Sequence, residues 1–291
     1  MVHRKSKKRS TNEGGPQKHR SRGKSLGGRN ATRIGLVIAI LLGIAIPLLI
    51  FAWLGQLSEP KVPKAAIVDQ LNLTFPNPGF IEKATKILEE AGYSVDYHPG
   101  EEVTVEFYRN LPTQNYDLII LRVHSALFEN GQIGGSHPTQ AGVIIRVLGN
   151  PVVLFTSEPY NRTRYFEEQK RLRLLPVAYP TDRRTMYFGI TPGFVRSSMQ
   201  GDFGKATIIM MGCNGLTFTD TADNFLQKGA RNIVSWDGSV SATHTDMATV
   251  QLLNYLLIEK LPLRKAVAKT MKNIGPDPTY GSRLVFYPFD E

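Results

Sequence analysis

Residues 208–217 read IIMMGCNGLT and contain the only cysteine of the 291-residue chain, Cys213. They continue an apolar run that begins at residue 206 and then changes abruptly to Gly-Cys-Asn-Gly. A short, continuous apolar run that ends in glycine is typical of a strand buried on both faces, as in a parallel sheet. We therefore expect a central strand over 206–211 that delivers the thiol to a turn.

Strand-like and helix-like segments alternate on both sides of this stretch. Further strands are predicted at 65–69, 93–97, 117–123 and 231–236. Helices are predicted at 80–91, 221–228, 246–260 and from Pro262 to just before Gly275. This alternation predicts an α/β fold with a mostly parallel sheet flanked by helices. Residues 127–205 are less regular and are predicted to be an insertion that shapes the binding site. Within it, VVLFT (152–156) and MYFGIT (186–191) resemble strands that could form an added hairpin.

The first 64 residues differ in composition from the rest. Residues 1–33 carry eleven Lys and Arg against one acidic residue, Glu13, and are predicted to be a disordered tail. Residues 34–54 are uncharged, and a helix of that length spans the hydrocarbon layer, so a transmembrane helix is predicted. A proline-bearing linker is predicted at 55–64, followed by the α/β domain at 65–291.

The charge distribution predicts the topology and the partners. A basic flank stays on the cytoplasmic side, so we expect a single-pass membrane protein with an extracytoplasmic C-terminal domain. The tail is expected to contact anionic lipid headgroups, and residues 34–54 the membrane itself. The remaining chain carries equal numbers of basic and acidic residues, so no nucleic-acid partner is expected. A cleaved signal peptide is the alternative, but its apolar region is usually shorter.

Two reactive side chains follow predicted central strands. His124 comes directly after 117–123, and Cys213 follows 206–211. Functional groups collect at the carboxyl ends of parallel strands, so the two meet if these strands are neighbours. A nearby imidazole can then take the thiol proton and favour the nucleophilic thiolate. The alternative is that the cysteine fills the core and the histidine only satisfies a hydrogen bond.

Four segments in this order carry a resemblance to a known superfamily. They read DLIILRVHS, ATIIMMGCNG, TADNFLQKGARNIVSWDGSV and LPLRKAVAKTM. The order resembles that of the caspase-like superfamily of cysteine peptidases, with its gingipain, clostripain, legumain and CHAT-domain branches. The resemblance covers about residues 65–274 and is weakest in the middle. It implies a caspase-like α/β sandwich with His124 as general base or acid and Cys213 as nucleophile toward a peptide carbonyl.

The chain departs from the superfamily pattern directly after the histidine. Those families generally carry glycine there, and its N–H joins the oxyanion hole, whereas this chain has Ser125. Serine retains the N–H, but its backbone has less conformational freedom than that of glycine. The oxyanion or pocket candidates are Ser125, Gly212, Asn214, Gly215, Asp220 and Asp237. Asp220 and Asp237 could receive a basic substrate side chain, although Asp220 could equally cap a helix.

The sequence thus predicts a membrane-anchored caspase-like cysteine peptidase that acts on a peptide or protein substrate at the extracytoplasmic side, without a cofactor or metal. The alternative is an inactive caspase-like domain that binds peptide or protein, for which Ser125 is the clue. Zinc binding by Cys213, His124 and His244 is disfavoured because no two ligands are closely spaced. Glycosylation sequons occur at Asn72 and Asn161, and the sequence does not decide whether either is used.

Overall fold

The computed structural model describes residues 41, 43–47, 61–129, 132–133, 151–179 and 182–288. It divides into two compact units, Met1–Lys61 and Val62–Glu291. The second unit contains the predicted α/β domain. In the first unit, the described residues up to residue 47 are helical and exposed.

The predicted transmembrane helix is wrong, because no helix in the described part of the chain is long and apolar enough to cross a membrane. Of residues 34–54, only Leu41 and 43–47 are described. Five consecutive helical residues rise only about 7.5 Å, against a hydrocarbon layer of about 30 Å. The single-pass topology and the extracytoplasmic placement were deduced from that helix, so neither prediction is supported. The predicted basic tail at 1–33 and most of the linker lie outside the described residues.

The strands and helices of the second unit follow the predicted alternation in its first and last thirds. Within the described residues the strands are β1 (Lys64–Asp69), β2 (Ser94–Pro99), β3 (Leu118–Leu121), β4 (Ser125–Glu129), β5 (Gln132–Ile133), β6 (Val152–Pro159), β7 (Leu174–Tyr179), β8 (Asp182–Ile190), β9 (Thr207–Met210), β10 (Asn232–Trp236) and β11 (Leu284–Tyr287). The helices are α1 (Pro78–Glu90), α2 (Val105–Asn110), α3 (Phe166–Lys170), α4 (Pro192–Ser197), α5 (Asp220–Gln227), α6 (Ala242–Leu253) and α7 (Leu263–Ile274).

The central sheet has the strand order β11-β10-β9-β3-β1-β2. Neighbouring strands from β2 to β10 pair in parallel, and β11 pairs antiparallel with β10 at the edge. The prediction of a mostly parallel sheet is therefore confirmed. β3 and β9 are direct neighbours, with Leu121 opposite Met210. The segments that lead to His124 and Cys213 thus lie side by side in the middle of the sheet.

Both faces of the central sheet are buried, which explains the continuous apolar runs. Ile119 and Ile208 face a core that includes side chains of α4, α5 and the second sheet. Ile120 and Ile209 face the opposite core, built with side chains of α1, α6 and α7. Successive strand residues point to opposite faces, so every residue of β3 is buried. Covering both faces is what keeps the strands parallel and internal.

The predicted irregular insertion contains an antiparallel sheet with the order β5-β4-β6-β8-β7. Its first strand, β4, begins at Ser125, directly after His124. The sheet contributes one face to the main core and has a second small core around Phe155 and Val177. The sequence signal was weak here because charged residues such as Arg184 interrupt the apolar pattern of β8.

Candidate active site

His124 and Cys213 lie at the carboxyl ends of two adjacent strands. Each stands three residues beyond Leu121–Met210, the last pair of the parallel register between β3 and β9. Both side chains line one cavity with a volume of about 360 Å³. The structure therefore brings together the two residues that the sequence singled out, although they are distant along the chain.

The cavity opens where β3 and β9 diverge. The Met211 carbonyl accepts a hydrogen bond from the Thr245 hydroxyl at 3.0 Å, so it is bonded to α6 at this point. On the other side, the chain after His124 joins the second sheet, and Phe155 N donates to His124 O at 2.9 Å. A hydrogen bond connects the segments that follow the two strands: Ser125 Oγ donates to Cys213 O at 2.6 Å.

Gly212 is required by the close approach of the two chains. A Cβ at this position would lie 2.2 Å from Ser125 Oγ and 2.5 Å from Val123 O. The second of these atoms belongs to the backbone and cannot rotate away. Glycine before the cysteine is therefore what allows Cys213 to approach the end of β3.

The imidazole of His124 is held by polar and aromatic neighbours. Its backbone N–H donates to Gln70 Oε1 at 2.9 Å, and its Nε2 lies 2.8 Å from Thr74 Oγ1. The ring packs on Tyr179 with a centroid distance of 4.9 Å. Burial, with a smaller contribution from the charge of Arg122, lowers the pKa of His124 to about 4. The imidazole is therefore neutral at pH 7, and it is a weaker base than an exposed histidine.

The Thr74 hydroxyl bridges the imidazole and the backbone. Thr74 Oγ1 lies 3.3 Å from Leu71 O and 2.8 Å from His124 Nε2, and its single hydrogen can serve only one of these two contacts. If the hydrogen points to Leu71 O, the hydroxyl accepts from Nε2–H and Nδ1 is the basic atom of the ring.

Arg122 fixes the end of β3 through buried ion pairs. Its side chain is 1% exposed, and its Nη1 lies 2.6 Å from Asp69 Oδ1. Its Nε and Nη2 donate to both carboxylate oxygens of Asp246, at 2.8 and 2.9 Å. This buried network joins β1, β3 and α6 directly behind the site. Sequence reasoning missed it, although a lone Arg at the end of an apolar run and the Asp that ends β1 were both visible.

The sulfur of Cys213 is hydrogen-bonded to a backbone segment instead of to the imidazole. Cys213 Sγ donates to Val240 O at 3.5 Å and accepts from Val240 N at 3.4 Å. Burial raises the pKa of the Cys213 thiol; the Val240 hydrogen bond opposes this, and the charge of Asp277 adds to it. The thiol is thus protonated at neutral pH, which is opposite to the lowered pKa that the sequence argument expected. The hydrogen bonds of the described residues include none between Cys213 and His124.

Asp277 holds this segment in place and was not singled out from the sequence. It is 1% exposed, and its carboxylate accepts from Ser241 N at 2.9 Å and from Ser241 Oγ at 2.7 Å. It also accepts from the backbone N–H groups of Thr279 and Tyr280. Burial alone would raise the pKa of Asp277, but the hydrogen bonds, led by those from Ser241, lower it to about 2. The only sequence signal was an Asp between two prolines, which is typical of a turn.

Ser125 lines the cavity, and the pairing of β4 with β6 indicates the direction of its backbone N–H. Phe155 N donates to His124 O, as at a hydrogen-bonded position of an antiparallel ladder, while His124 N donates to Gln70 Oε1. The next pair, Ser125 and Leu154, is then of the non-hydrogen-bonded kind, so the Ser125 N–H points away from β6. Ser125 and Gly212 both line the cavity, as expected for oxyanion candidates.

The other two oxyanion candidates are used elsewhere. Asn214 has a left-handed backbone with φ 63°, and its N–H donates to Gly238 O at 2.8 Å. Gly215 passes close to β10, because a Cβ there would lie 2.0 Å from Ser235 Oγ. Neither residue lines the cavity. The turn after Cys213 therefore serves to anchor the chain on β10.

The acidic candidates and the additional histidine also lie outside the cavity. Asp220 is the exposed first residue of α5. Asp237 is exposed and accepts a hydrogen bond from Arg283 N at 2.7 Å. His244 is buried, with its Nε2 3.2 Å from Gly275 O. None of these three residues is therefore in the lining that contains Cys213.

Neither a scan against protein-family models nor a search of curated proteins found a match to this chain. The class of protein is therefore defined by its fold and site. It is an α/β protein with a mostly parallel central sheet, and its cavity, at the carboxyl ends of two central strands, holds a thiol and an imidazole.

Proposed function

We propose that the protein is a caspase-like cysteine peptidase, in which Cys213 attacks a peptide carbonyl and His124 transfers the protons. One observation carries the proposal: the only thiol of the chain and a neutral imidazole, from adjacent strand ends, line the same cavity. The N–H of Ser125, which points away from β6, supports it as a donor to the developing oxyanion.

The reaction divides into acylation and hydrolysis. The imidazole of His124 takes the Sγ proton while the sulfur electron pair forms a bond to the substrate carbonyl carbon, and the carbonyl π electrons move to oxygen. The tetrahedral intermediate then collapses, the C–N bond breaks, and the leaving amine takes the proton from His124. Water hydrolyses the thioester: His124 removes one of its protons and returns it to the sulfur. The products are a carboxylic acid, an amine and the original thiol.

The described state is a resting form of such an enzyme. The sulfur is held by Val240, its pKa is raised, and the pKa of His124 is about 4, so both groups are neutral at pH 7. Substrate must displace the Val240 contact before sulfur and imidazole exchange a proton. The same observation favours the second candidate, an inactive caspase-like domain that binds peptides without cleaving them.

A peptide-library digest separates the two candidates. Wild-type protein, Cys213→Ala and His124→Ala are incubated with a mixture of peptides, and new termini are measured by mass spectrometry. We expect cleavage by the wild type, loss in Cys213→Ala, and a reduction of about 100-fold or more in His124→Ala. His98→Ala is the matched control, because His98 is a partly buried histidine of β2 outside the cavity. Equal cleavage by the wild type and Cys213→Ala contradicts the peptidase; binding without cleavage supports the second candidate.

A further inference from the structure

None of the residues that line the cavity beside Cys213 carries a full charge at pH 7. Its apolar lining consists of Leu71, Phe75, Val123, Met211, Val240 and Ala242. Its hydroxyl-bearing lining residues are Ser125, Ser241, Thr245 and Tyr280. The lining also includes His124, which is neutral at pH 7 because burial lowers its pKa to about 4. A side chain that enters this cavity therefore meets carbon atoms and a few neutral polar groups.

Two charged groups contact residues next to the cavity but do not line it themselves. Arg122 donates to the carboxylates of Asp69 and Asp246. The ionised carboxylate of Asp277 accepts hydrogen bonds at both oxygens, all from neutral N–H and hydroxyl groups. A charged substrate side chain would lose its water and meet no ionised group in the lining, which is unfavourable. The wall thus disfavours acidic and basic side chains.

Two aromatic side chains line the cavity and are still exposed. Phe75 is 47% exposed and Tyr280 is 59% exposed. Large exposed aromatic side chains at a cavity provide contact area that a ligand can bury. The volume of about 360 Å³ is within the usual range for ligand sites.

We infer that the residue whose carbonyl Cys213 attacks carries a large apolar side chain, aromatic or long aliphatic, which enters this cavity. The inference rests on the proposed peptidase function and adds the substrate class. It replaces the basic side chain expected from Asp220 and Asp237, which are exposed and lie outside the cavity. Phe75 and Tyr280 are the specificity-determining residues.

Peptidyl acyloxymethyl ketones that differ only in the residue before the ketone test the inference. The Cys213 sulfur displaces the carboxylate at the methylene carbon: a C–S bond forms, the carboxylate leaves with its electron pair, and the thiol proton passes through His124 to solvent. Labelling is followed by intact mass for probes with Phe, Leu, Arg and Asp at that residue. The Phe and Leu probes are expected to label about 100-fold faster than the Arg and Asp probes.

Two variants and one control sharpen the test. Ala242→Asp adds a carboxylate to the wall at the first residue of α6, where a helix tolerates it, and is expected to raise the Arg-to-Phe rate ratio about tenfold or more. Phe75→Ala is expected to slow the Phe probe about tenfold. Phe166→Ala, which removes a 60% exposed Phe of α3 outside the cavity, leaves the rates unchanged.

The outcomes distinguish the two proposals. If the Arg or Asp probe labels wild-type Cys213 fastest, the apolar specificity is overturned and the thiol hydrolase remains. If no probe labels Cys213 faster than it labels a free cysteine peptide, the hydrolase function itself is overturned, and the specificity with it.

Discussion

Replacing Asp277 by Asn tests whether this carboxylate clamps the segment that holds the sulfur. In the folded protein its pKa is lowered from 3.8 to about 2, mainly through hydrogen bonds from Ser241 that outweigh burial. A difference of roughly 2 pKa units corresponds to roughly 2–3 kcal/mol between the ionised and neutral forms. Asn is neutral and offers one acceptor oxygen, so we expect Asp277→Asn to lower the free energy of unfolding by roughly 2 kcal/mol at pH 7.

The pH dependence gives this prediction a defined sign. Because the folded pKa is below the unfolded value, the ionised carboxylate stabilises the fold fully above pH 3.8, and this stabilisation is lost as the pH falls toward 2. Urea unfolding of wild type and Asp277→Asn should therefore differ most at pH 7, by about half as much at pH 3, and little below pH 2. Glu89→Gln, which neutralises an exposed carboxylate of α1, is the control.

A second measurement connects the clamp to the site. Release of Ser241 loosens the contact of Val240 with the Cys213 sulfur, so iodoacetamide should alkylate Cys213 faster in Asp277→Asn than in the wild type. The role of Asp277 in holding this segment would be refuted by either of two results. One is that Asp277→Asn lowers the free energy of unfolding by less than about 0.5 kcal/mol; the other is that its difference from the wild type is the same at pH 7 and pH 3. Faster alkylation without any change in stability would show that Asp277 acts on the sulfur by charge alone.

Two further predictions concern the framework of the site. Arg122→Met leaves buried carboxylates, including Asp246, without their partner. We therefore expect the free energy of unfolding, measured in urea, to fall by about 3–5 kcal/mol, and a decrease below about 1 kcal/mol contradicts a stabilising role of this network. Gly212→Ala forces a Cβ against backbone 2.5 Å away, whereas Gly79→Ala meets nothing closer than 3.6 Å. We expect the first variant to lower the thermal midpoint clearly and the second to change it little, and equal midpoints contradict the close approach.

Much of the central sheet could be predicted because parallel strands buried on both faces keep an apolar side chain at nearly every position. The run over 117–123 contains β3, and the run over 206–211 contains β9. Their endings also identified His124 and Cys213, since polar residues directly after such runs lie at the edge where ligands bind. Of the antiparallel sheet only two segments, within β6 and β8, were predicted as strands, because its strands carry mixed polar and apolar residues and their partners are distant in sequence.

The contacts that set the reactivity of the thiol had no local signal. Val240, which holds the sulfur, is 27 residues away, and Asp277 is a further 36 residues beyond Ser241. Both belong to loops that meet only because α6 and α7 pack on the same face of the sheet. A pKa depends on the groups within a few ångströms, so the expectation of an activated thiolate could not be checked from sequence spacing.

The alternation of strands and helices and the positions of the imidazole and the thiol at strand ends followed from the amino-acid order alone. Local hydrophobic pattern is enough to place a residue on a strand and at its end. The folded chain decided which strands are neighbours, that the sulfur bonds to Val240, and that the acidic candidates lie outside an apolar cavity. These features depend on contacts between distant segments, which arise only when the helices close over the sheet and the loops above it are brought together.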